Sequence, residues 1–345
     1  MAALPPRKTG RLTLDDVAQE VGVSHQTVSR VINDHPRVLP ATRARVSAAI
    51  TRLGYRPNRA ARFLANQRST VIGLVTHHSD AYGAAHALLS IQQEVQRQGY
   101  TLMTFGLKTF GMPELRQATE ELLENAAAGV IVDIPYEVRQ RDVQAALGHV
   151  PFVALDVDGR GLFPSFRFDH LHGAREGTRH LVAMGHRQIA GIIGEKPWRA
   201  AAKRRQGWLS ALEEAGLKPG PSVETAWTAA GGYEAATGLL RGHHRKFTAI
   251  FAANDLIALG AMSALQGAGV RVPDEVSVVG FDGMPEAEFF YPSLTTVVND
   301  FDVLARESLR SLLQVIKGAE STGPLQKVSL PKLVLRASSR PMRKG

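Results

Sequence analysis

The sequence contains no cysteine, and aromatic residues make up only 6% of its 345 residues. Without cysteine there are no disulfides and no thiolate metal ligands, which is typical of proteins in a reducing cytoplasm. No stretch approaches the ~18 consecutive apolar residues of a membrane span. The start, MAALPPRKTGR, lacks the apolar centre of a signal peptide. We therefore expect a cytoplasmic globular protein without membrane contact, long enough for two or three domains.

Sequence signatures of common catalytic sites are also missing. No G-x-G-x-x-G follows a predicted strand, and there is no Walker loop, H-E-x-x-H or G-x-S-x-G. Histidines lie close together at three places, His77–His78, His170 with His172, and His243–His244, none with a recognised metal-ligand spacing. The sequence therefore predicts no catalytic residue, no metal and no cofactor.

Acidic residues are scarce in one part of the chain only. Residues 1–68 contain 12 Lys and Arg but 4 Asp and Glu, whereas the rest of the chain has 29 basic and 28 acidic residues. A basic excess confined to about the first fifth of the chain is the electrostatic signature of a nucleic-acid-binding module. Phosphate contacts made by such a module weaken steeply with salt.

The stretch 13–33, TLDDVAQEVGVSHQTVSRVIN, predicts two short helices joined by a turn. Thr13 and Asp16 have the spacing of a capping box, in which the two side chains satisfy free amides at a helix start. Gly22 ends the first helix, because glycine adopts the left-handed conformation without a Cβ penalty. Ser24 is suited to cap the second helix. This is the layout of a helix-turn-helix, and the alternative is a surface helical hairpin of a larger domain.

The second helix presents hydrogen-bonding side chains with one formal charge on its exposed face. These residues are His25, Gln26, Thr27, Ser29, Arg30 and Asn33. Gln and Arg match the donor and acceptor pattern of base edges in the major groove. We therefore predict that His25, Gln26 and Arg30 contact bases. Phosphate contacts are predicted for Thr13, Ser24, Thr27, Ser29, Asn33 and Asn58.

Two further helices are predicted before the first domain ends. One runs from about Thr42 to Leu53 and is closed by Gly54. The other is a short helix, Arg59 to about Ala65, for which Asn58 is a suitable cap. Two helical turns are marginally stable by themselves, so this segment is suited to fold only on a partner. The alternative is a linker, and the polar residues 66–69 mark the domain boundary.

From Val71 onward, short apolar runs alternate with helical stretches. The runs VIGLVT, YTLMTF, GVIVDI, FVALDV, QIAGIIG, AIFAAN and VSVVGFD read as strands buried on both faces of a parallel sheet. The helical stretches are about 84–98, 113–126, 137–147, 171–184, 203–215, 232–242, 255–268 and 301–317. This alternation predicts a doubly wound α/β fold.

Both halves of the sequence resemble the LacI/GalR family of bacterial repressors. In the first half the resemblance lies in GVSHQTVSRVIN, TRARV and GYRPNRAARFLA. In the second half it lies in HLVAMGHRQIAGIIG, RRQGWLSAL, AANDLIALGAM, SVVGFD, SLTTV and LPKLVLRASS. The resemblance covers about the whole chain. It implies an α-helical helix-turn-helix headpiece followed by a two-lobed α/β core like that of periplasmic sugar-binding proteins.

The resemblance also implies domain bounds. The headpiece would be 1–57, the hinge helix and linker 58–69, and the effector-binding and dimerisation core 70–345. Within the core, the N-lobe would be about 70–168 and 299–328, and the C-lobe about 169–298 and 329–340. In the hinge, Leu64 occupies the position of a leucine that wedges between base pairs in the minor groove. The chain has no leucine heptads after its last strand, so we expect a dimer.

Polar residues that follow predicted strands are candidates for an effector site, because ligands bind at the carboxyl ends of strands in open α/β folds. Asp156, Asn254 and Asp282 stand at such ends. The family's pattern adds Arg204 as a bidentate donor, and Phe168 and Trp227 as ring-stacking walls. The alternatives are that such aspartates cap the next helix, for which Asp255 is the best example, and that Trp227 belongs to the core.

We therefore interpret the chain as a homodimeric repressor of carbohydrate-utilisation genes, which binds palindromic operator DNA and responds to a small sugar-like effector. His77, His78 and Tyr82 near the first strand and Asn299 in place of a glutamine depart from the family pattern. These departures leave a nucleoside or purine open as the effector. The rival interpretations are a sugar-binding protein without a regulatory role and a sugar- or nucleotide-processing enzyme. The sequence does not fix whether the effector induces or corepresses.

Overall fold

A computed structural model describes residues 12–32, 35–55, 69–77, 82–148, 150–157, 162–243, 246–318 and 326–342. The chain divides into two compact units, Met1–Ser69 and Thr70–Gly345. No helix in the described ranges is both long and apolar enough to cross a membrane.

The first unit is a small helical domain. Its helices are α1, Leu14–Val21; α2, His25–Ile32; and α3, Pro40–Leu53. The predicted capping box is present at α1, and Gly22 ends that helix with φ of 69°. Helix α3 begins two residues earlier than predicted, because proline fits the first helical position, where its missing amide has no partner to lose. Val17, Val28 and Val46 are fully buried where the three helices meet.

The second unit contains twelve strands within its described residues. They are β1, Val71–His77; β2, Thr101–Leu107; β3, Ala127–Asp133; β4, Phe152–Leu155; β5, Ser165–Phe168; β6, Ile189–Gly194; β7, Ser222–Thr225; β8, Ala249–Ala252; β9, Ser277–Asp282; β10, Thr295–Val298; β11, Gln326–Ser329; and β12, Lys332–Val334. The α-helices of this unit are α4, Tyr82–Arg97; α5, Met112–Glu124; α6, Gln140–Leu147; α7, His170–Ala183; α8, Arg199–Glu214; α9, Ala229–His243; α10, Asp255–Gly267; and α11, Phe301–Ile316.

The strands form two six-stranded sheets, each the centre of one lobe. The first lobe has the order β11-β5-β4-β3-β1-β2, with every pair parallel. The second has the order β12-β10-β9-β8-β6-β7, and only β12 runs antiparallel to its neighbour among the described strands. Helices cover both faces of each sheet, and the central strands β6, β8 and β9 are buried along their whole length. The doubly wound α/β fold expected from the sequence is confirmed.

The chain passes between the lobes at three places. Strand β5 of the first lobe leads into α7 of the second, β10 leads back into α11, and β11 leads into β12. Helix α11 packs Phe301 and Leu304 into the core of the first lobe, whereas α7 packs Leu181 into the core of the second. The crossovers therefore bring residues 168–170 and 298–301 to the junction of the lobes.

The apolar runs do not predict β5, β7, β10, β11 or β12. Strands β7 and β11 lie at sheet edges, and three of the four residues in each are polar, so they lack the continuous apolar character of central strands. Strand β10 contains Thr295 and Thr296, which are fully buried because their hydroxyls bond to Arg336 O and Asp255. A strand that contains such polar residues shows no continuous apolar run, so a hydrophobicity pattern does not predict it.

Helices α9 and α10 pack too closely for a methyl group at Gly260. A Cβ there would overlap the carbonyl oxygen of Ala229. We expect Gly260→Ala to lower the free energy of unfolding by roughly 1–3 kcal/mol, as overpacked cores do. The exposed Gly238 in α9 has nothing within 4 Å of such a Cβ. Gly238→Ala should therefore raise the free energy by roughly 0.5–1 kcal/mol. Urea unfolding checks both, and equal effects would contradict the close packing.

Candidate functional site

Helix α2 in the first unit presents an exposed polar face. His25, Gln26 and Arg30 are exposed, whereas Val28 and Val31 point into the core. The three predicted base-reading residues therefore share the solvent side of one helix. This is the arrangement that a recognition helix requires in the major groove.

Side chains at the starts of α1 and α2 serve as helix caps. The Thr13 hydroxyl donates to Asp16 Oδ2 at 2.7 Å and accepts from the Asp16 amide at 3.3 Å. The Thr27 amide donates to Ser24 Oγ at 3.2 Å, and the two hydroxyls are 2.9 Å apart. The N-terminus of α2, whose first turn has no acidic residue, is suited to a phosphate contact, because the helix dipole favours anions there.

Ser29, predicted as a further phosphate contact, is half-buried on α2. The predicted contacts Asn33 and Asn58, the wedge Leu64 and the hinge helix 59–65 lie outside the described residues.

A cavity lies between the two lobes of the second unit. Its lining includes Gly83, Ala84, Ala87, Asp133, Pro135, Leu155, Asp156, Phe168, His170, Trp198, Ala200, Arg204, Trp227, Asp282, Asn299, Phe301 and Leu304. The crossovers supply four of these residues, and the carboxyl ends of β3, β4 and β9 supply the three aspartates. Parallel strands end at one edge of a sheet, which is why polar residues distant in sequence meet here. Five of the six predicted effector contacts line this cavity.

Arg204 and Asp282 form a buried ion pair at its centre. Arg204 Nη2 donates to Asp282 Oδ1 at 2.6 Å, and Nη1 donates to the Ala253 carbonyl at 2.5 Å. The guanidinium carbon lies 3.9 Å from the centroid of the Phe281 ring, a cation–π contact. Asn299 Nδ2 also donates to Asp282 Oδ1, at 3.2 Å. Nη1 uses only one of its two N–H groups here, and Nε has no hydrogen-bond partner among the described residues, so Arg204 retains donors for the predicted contact to ligand hydroxyls.

Asp156 meets the second lobe through His170 and Arg199. Its Oδ1 lies 3.3 Å from His170 Nε2 and 3.6 Å from Arg199 Nη1. Arg199 Nη1 also donates to the Asp156 carbonyl at 2.7 Å. Because Asp156 and Arg199 belong to different lobes, this pairing acts across the cavity.

Asp156 and Asp282 both have left-handed backbone conformations, with φ of 53° and 98°. Residues other than glycine rarely adopt such angles, and they concentrate at functional sites where the surrounding structure enforces them. Both residues stand at strand ends and line the cavity. The backbone strain and the carboxylate chemistry of these two residues therefore indicate the same candidate site.

Aromatic rings form much of the remaining wall. The rings of Phe168 and Phe301 lie 5.4 Å apart at the crossovers, and those of Trp198 and Trp227 lie 6.4 Å apart in the second lobe. Trp227 is 9% exposed, and its indole Nε1 has no hydrogen-bond partner among the described residues. It therefore belongs both to the core and to the cavity wall.

Asn254 is placed differently from the sequence-based expectation. It does not line the cavity, and its Oδ1 accepts from the Ile257 amide at 2.7 Å as the cap of α10. Its Nδ2 donates to the Trp227 carbonyl at 3.3 Å. The expected cap, Asp255, is instead fully buried and accepts from Thr296 Oγ1 and the Met284 amide. Burial, together with Asp282, raises the pKa of Asp255 to about 7.

The sequence reasoning missed Asp133, His170, Trp198 and Phe301 as cavity residues. Asp133 ends the apolar run VIVD and carries the same strand-end signal as Asp156, so the pattern contained it. The other three stand at a helix start or in a crossover, where no periodicity marks them. Within the described residues, no group of three His, Asp or Glu side chains is placed to share a metal ion.

A clasp, residues 198–199 of the second lobe against 135–137 of the first, closes one side of the cavity. Trp198 and Tyr136 form an isolated antiparallel bridge, and the Arg199 amide donates to the Pro135 carbonyl at 2.8 Å. Arg199 Nε lies 3.4 Å from Glu137 Oε1. The clasp joins the lobes through non-covalent contacts, whereas the crossovers join them through the chain itself.

A helix-turn-helix unit together with a two-lobed, ligand-binding α/β core defines a ligand-responsive DNA-binding regulator. The lacI family of bacterial regulatory proteins matches residues 13–58, and a periplasmic binding protein-like domain matches residues 178–339. The lactose operon repressor of Escherichia coli (strain K12) is 35% identical over 93% of this chain and 89% of its own length. The chain therefore belongs to the lacI family of bacterial regulatory proteins.

Other relatives agree with this assignment. The transcriptional repressor PurR of Haemophilus influenzae (strain PittEE) is 34% identical over 94% of this chain and 98% of its own. A lac repressor dimer bound to operator and the anti-inducer ONPF has a TM-score of 0.86 and 34% identity, over 96% of this chain and all of that one. A complex of the regulator CelR with cellobiose has a TM-score of 0.69 and 30% identity, over 95% of this chain and all of that one.

Asp133 gives the second unit a pH-dependent stability. Burial first, and the neighbouring Asp156 second, raise its pKa to about 7. The folded state thus keeps a proton that the unfolded state has lost between about pH 4 and pH 7, so Asp133 makes stability fall as the pH rises through that window. We expect Asp133→Asn to gain stability over the original protein progressively across this range and to level off above about pH 7.

Thermal unfolding at a series of pH values measures this gain. The control is Asp142→Asn, which removes a carboxylate paired with Arg139 on the surface of the same lobe. A stability difference for Asp133→Asn that is the same at all pH values would rule out the raised pKa.

Proposed function

We propose that the protein is a transcriptional repressor that binds palindromic operator DNA as a homodimer and is switched by a small sugar-like effector. Helix α2 enters the major groove, with His25, Gln26 and Arg30 at base edges. Phosphate contacts come from Thr13, Ser24, Thr27, Ser29, Asn33 and Asn58, and Leu64 wedges into the minor groove. The effector occupies the cavity between the lobes, and the relative closure of the lobes sets operator affinity.

The observation that carries the effector proposal is the position of the Arg204–Asp282–Asn299 cluster. Arg204 and Asp282 belong to the second lobe, whereas Asn299 lies in the crossover that leads back to the first. A ligand that bonds to this cluster therefore binds one closure state better than another. Such a difference is what couples two sites, typically by ~1–3 kcal/mol.

The cavity chemistry supports a carbohydrate as the effector. Carboxylate, amide and guanidinium groups pair with hydroxyls, which donate and accept, while Phe168 and Trp227 offer ring faces to the apolar side of a sugar. Asp156 and Asp282 accept from hydroxyls, and Arg204 donates. Asn254 supports this wall by holding the Trp227 carbonyl.

The same proposal assigns the remaining parts of the chain. Residues 1–57 are the headpiece, 58–69 the hinge and 70–345 the effector-binding and dimerisation core. The N-lobe comprises about 70–168 and 299–328, and the C-lobe about 169–298 and 329–340. The protein acts in the cytoplasm, where its DNA lies, and it performs no catalysis.

A purine or nucleoside is the second candidate for the effector. The observation that favours it is the run of aromatic rings at the cavity, since the rings of Trp198, Trp227 and Phe301 suit stacking with a base. A thermal-shift screen of sugars and nucleosides separates the two classes, because only a ligand that binds the folded protein raises its melting temperature. If only nucleosides raise the melting temperature, a nucleoside replaces the sugar as the proposed effector.

Arg204→Lys should impair the effector response while leaving operator binding nearly unchanged. Lysine keeps the charge beside Asp282 but loses the planar fork that reaches both Asp282 and the Ala253 carbonyl. We expect effector affinity to weaken roughly tenfold or more. Fluorescence anisotropy of labelled operator, titrated with the effector found in the screen, measures both properties. Arg271→Lys, at an exposed arginine of the same lobe, is the control; an unchanged response of Arg204→Lys would remove the cavity as the effector site.

Arg30→Ala should cost roughly 1–3 kcal/mol of operator affinity, concentrated at one base pair. The reason is that Arg30 is the basic residue in the last turn of α2 and is exposed on its polar face. Binding to a set of single-base operator variants checks the position. Arg52→Ala removes the same charge from α3, where Arg52 pairs with Glu20. It should weaken binding to all operator variants alike, and the same uniform loss for Arg30→Ala would contradict base readout.

A further inference from the structure

The cavity contains three aspartates, and two of them are paired with cations of the protein. Asp282 is paired with Arg204, 2.6 Å away. Asp156 faces Arg199 across the lobes at 3.6 Å, and Arg199 also faces Glu137. Both guanidinium groups near the cavity thus already have carboxylate partners.

Asp133 is the third aspartate and has no such partner. It is the last residue of β3 and lines the cavity. Neither a hydrogen bond nor an ion pair joins its carboxyl group to any other part of the chain that the structure describes. A carboxylate turned into a cavity without a donor pays the cost of desolvation uncompensated.

The neighbouring strand places beside it a second carboxylate oxygen that accepts no hydrogen bond within the described ranges, although Arg199 Nη1 lies 3.6 Å from it. In the β3–β4 register Asp133 pairs with Leu155, so Asp156 is the next residue along at the same sheet edge. Asp156 Oδ1 is buried and accepts no hydrogen bond from the described residues. The electrostatic effect of Asp156 on Asp133, which helps to raise the pKa of Asp133 to about 7, agrees with this proximity.

Two adjacent carboxyl groups, both hydrogen-bond acceptors, are best satisfied by one ligand group with several donors. A sugar hydroxyl donates a single hydrogen bond and carries no charge. A primary ammonium carries three N–H donors and a positive charge, so it serves both carboxyl groups and favours the ionised form of Asp133, whose pKa of about 7 otherwise lets it keep its proton up to about that pH. A metal ion would need further ligands, and the described residues offer no third His, Asp or Glu to share it.

We propose that the effector is an amino sugar whose ammonium group binds between Asp133 and Asp156. This inference rests on the proposed function, since it places the effector in the same cavity, and it narrows the class from sugars in general to sugars that bear a primary amine. Arg204 and Asp282 then bind the hydroxyls of the ring, and the aromatic walls contact its apolar face.

The test compares matched compounds on the full-length protein. The panel contains D-glucosamine, D-galactosamine, D-mannosamine and the corresponding 6-amino-6-deoxyhexoses. Each amine is compared with its parent hexose and with its N-acetyl derivative. Thermal shift ranks the compounds, and isothermal titration gives their affinities. For at least one pair we expect the amine to bind on the order of tenfold more tightly than the parent, because charge-assisted hydrogen bonds are about twice as strong as neutral ones. Its N-acetyl derivative, which has lost the charge, should bind no better than the parent.

Variants connect the preference with Asp133. Asp133→Asn removes the charge but keeps the shape, and the preference for the amine should disappear in it. Asp142→Asn, a surface change in the same lobe, should keep the preference. Parent hexoses that bind as tightly as their amines, a preference that survives in Asp133→Asn, or an absence of binding by every amine would each overturn the inference. If a neutral sugar or a nucleoside releases the protein from its operator, the proposed regulatory function stands, but the inference that the effector bears an amine is refuted.

Discussion

The ion pair of Arg204 with Asp282 is the interaction on which the ligand-binding core depends. Both side chains are about 95% buried, so their attraction has to offset the removal of two charges from water. The Ala253 carbonyl, the Asn299 amide and the face of Phe281 complete the shell around the pair. A pair of apolar residues would fill this space at lower cost to stability. The charged pair at the junction of the two lobes thus supports the ligand-binding role proposed for this cavity.

Several other features that lower the stability of the fold lie near the same junction. Asp156 and Asp282 have left-handed backbones, Asp255 is buried with a raised pKa, and Asp133 faces the cavity without a partner. Each lowers the stability of its own lobe. The apolar cores around β1, β3 and β4 in the first lobe and around β6, β8 and β9 in the second supply the stability that tolerates them. Strain and unpaired polarity thus concentrate where a ligand can relieve them, whereas the cores beneath follow simple hydrophobic patterning.

Sequence reasoning predicted what local patterns encode. The capping box at Thr13, the turn at Gly22 and the apolar central strands follow from short-range rules, and the structure has all three. The edge strand β7 escaped prediction because its residues are polar, and the helix starts in α8 and α9 were placed too late. At the cavity, strand-end aspartates were recognisable, but whether an Asn or an Asp caps the following helix depends on which side chain turns back to the amides. That choice made Asn254 the cap of α10, whereas the expected cap, Asp255, bonds to Thr296 and Met284.

The clasp between Trp198–Arg199 and Pro135–Glu137 has a consequence for the timing of the response. Its backbone bridge and its arginine contacts join the two lobes beside the cavity, so the lobes part at this side only when these bonds break. The lifetime of the bound state is then governed by the opening of the protein as well as by the ligand's own contacts. The response proposed above would then lag behind a fall in the concentration of the effector.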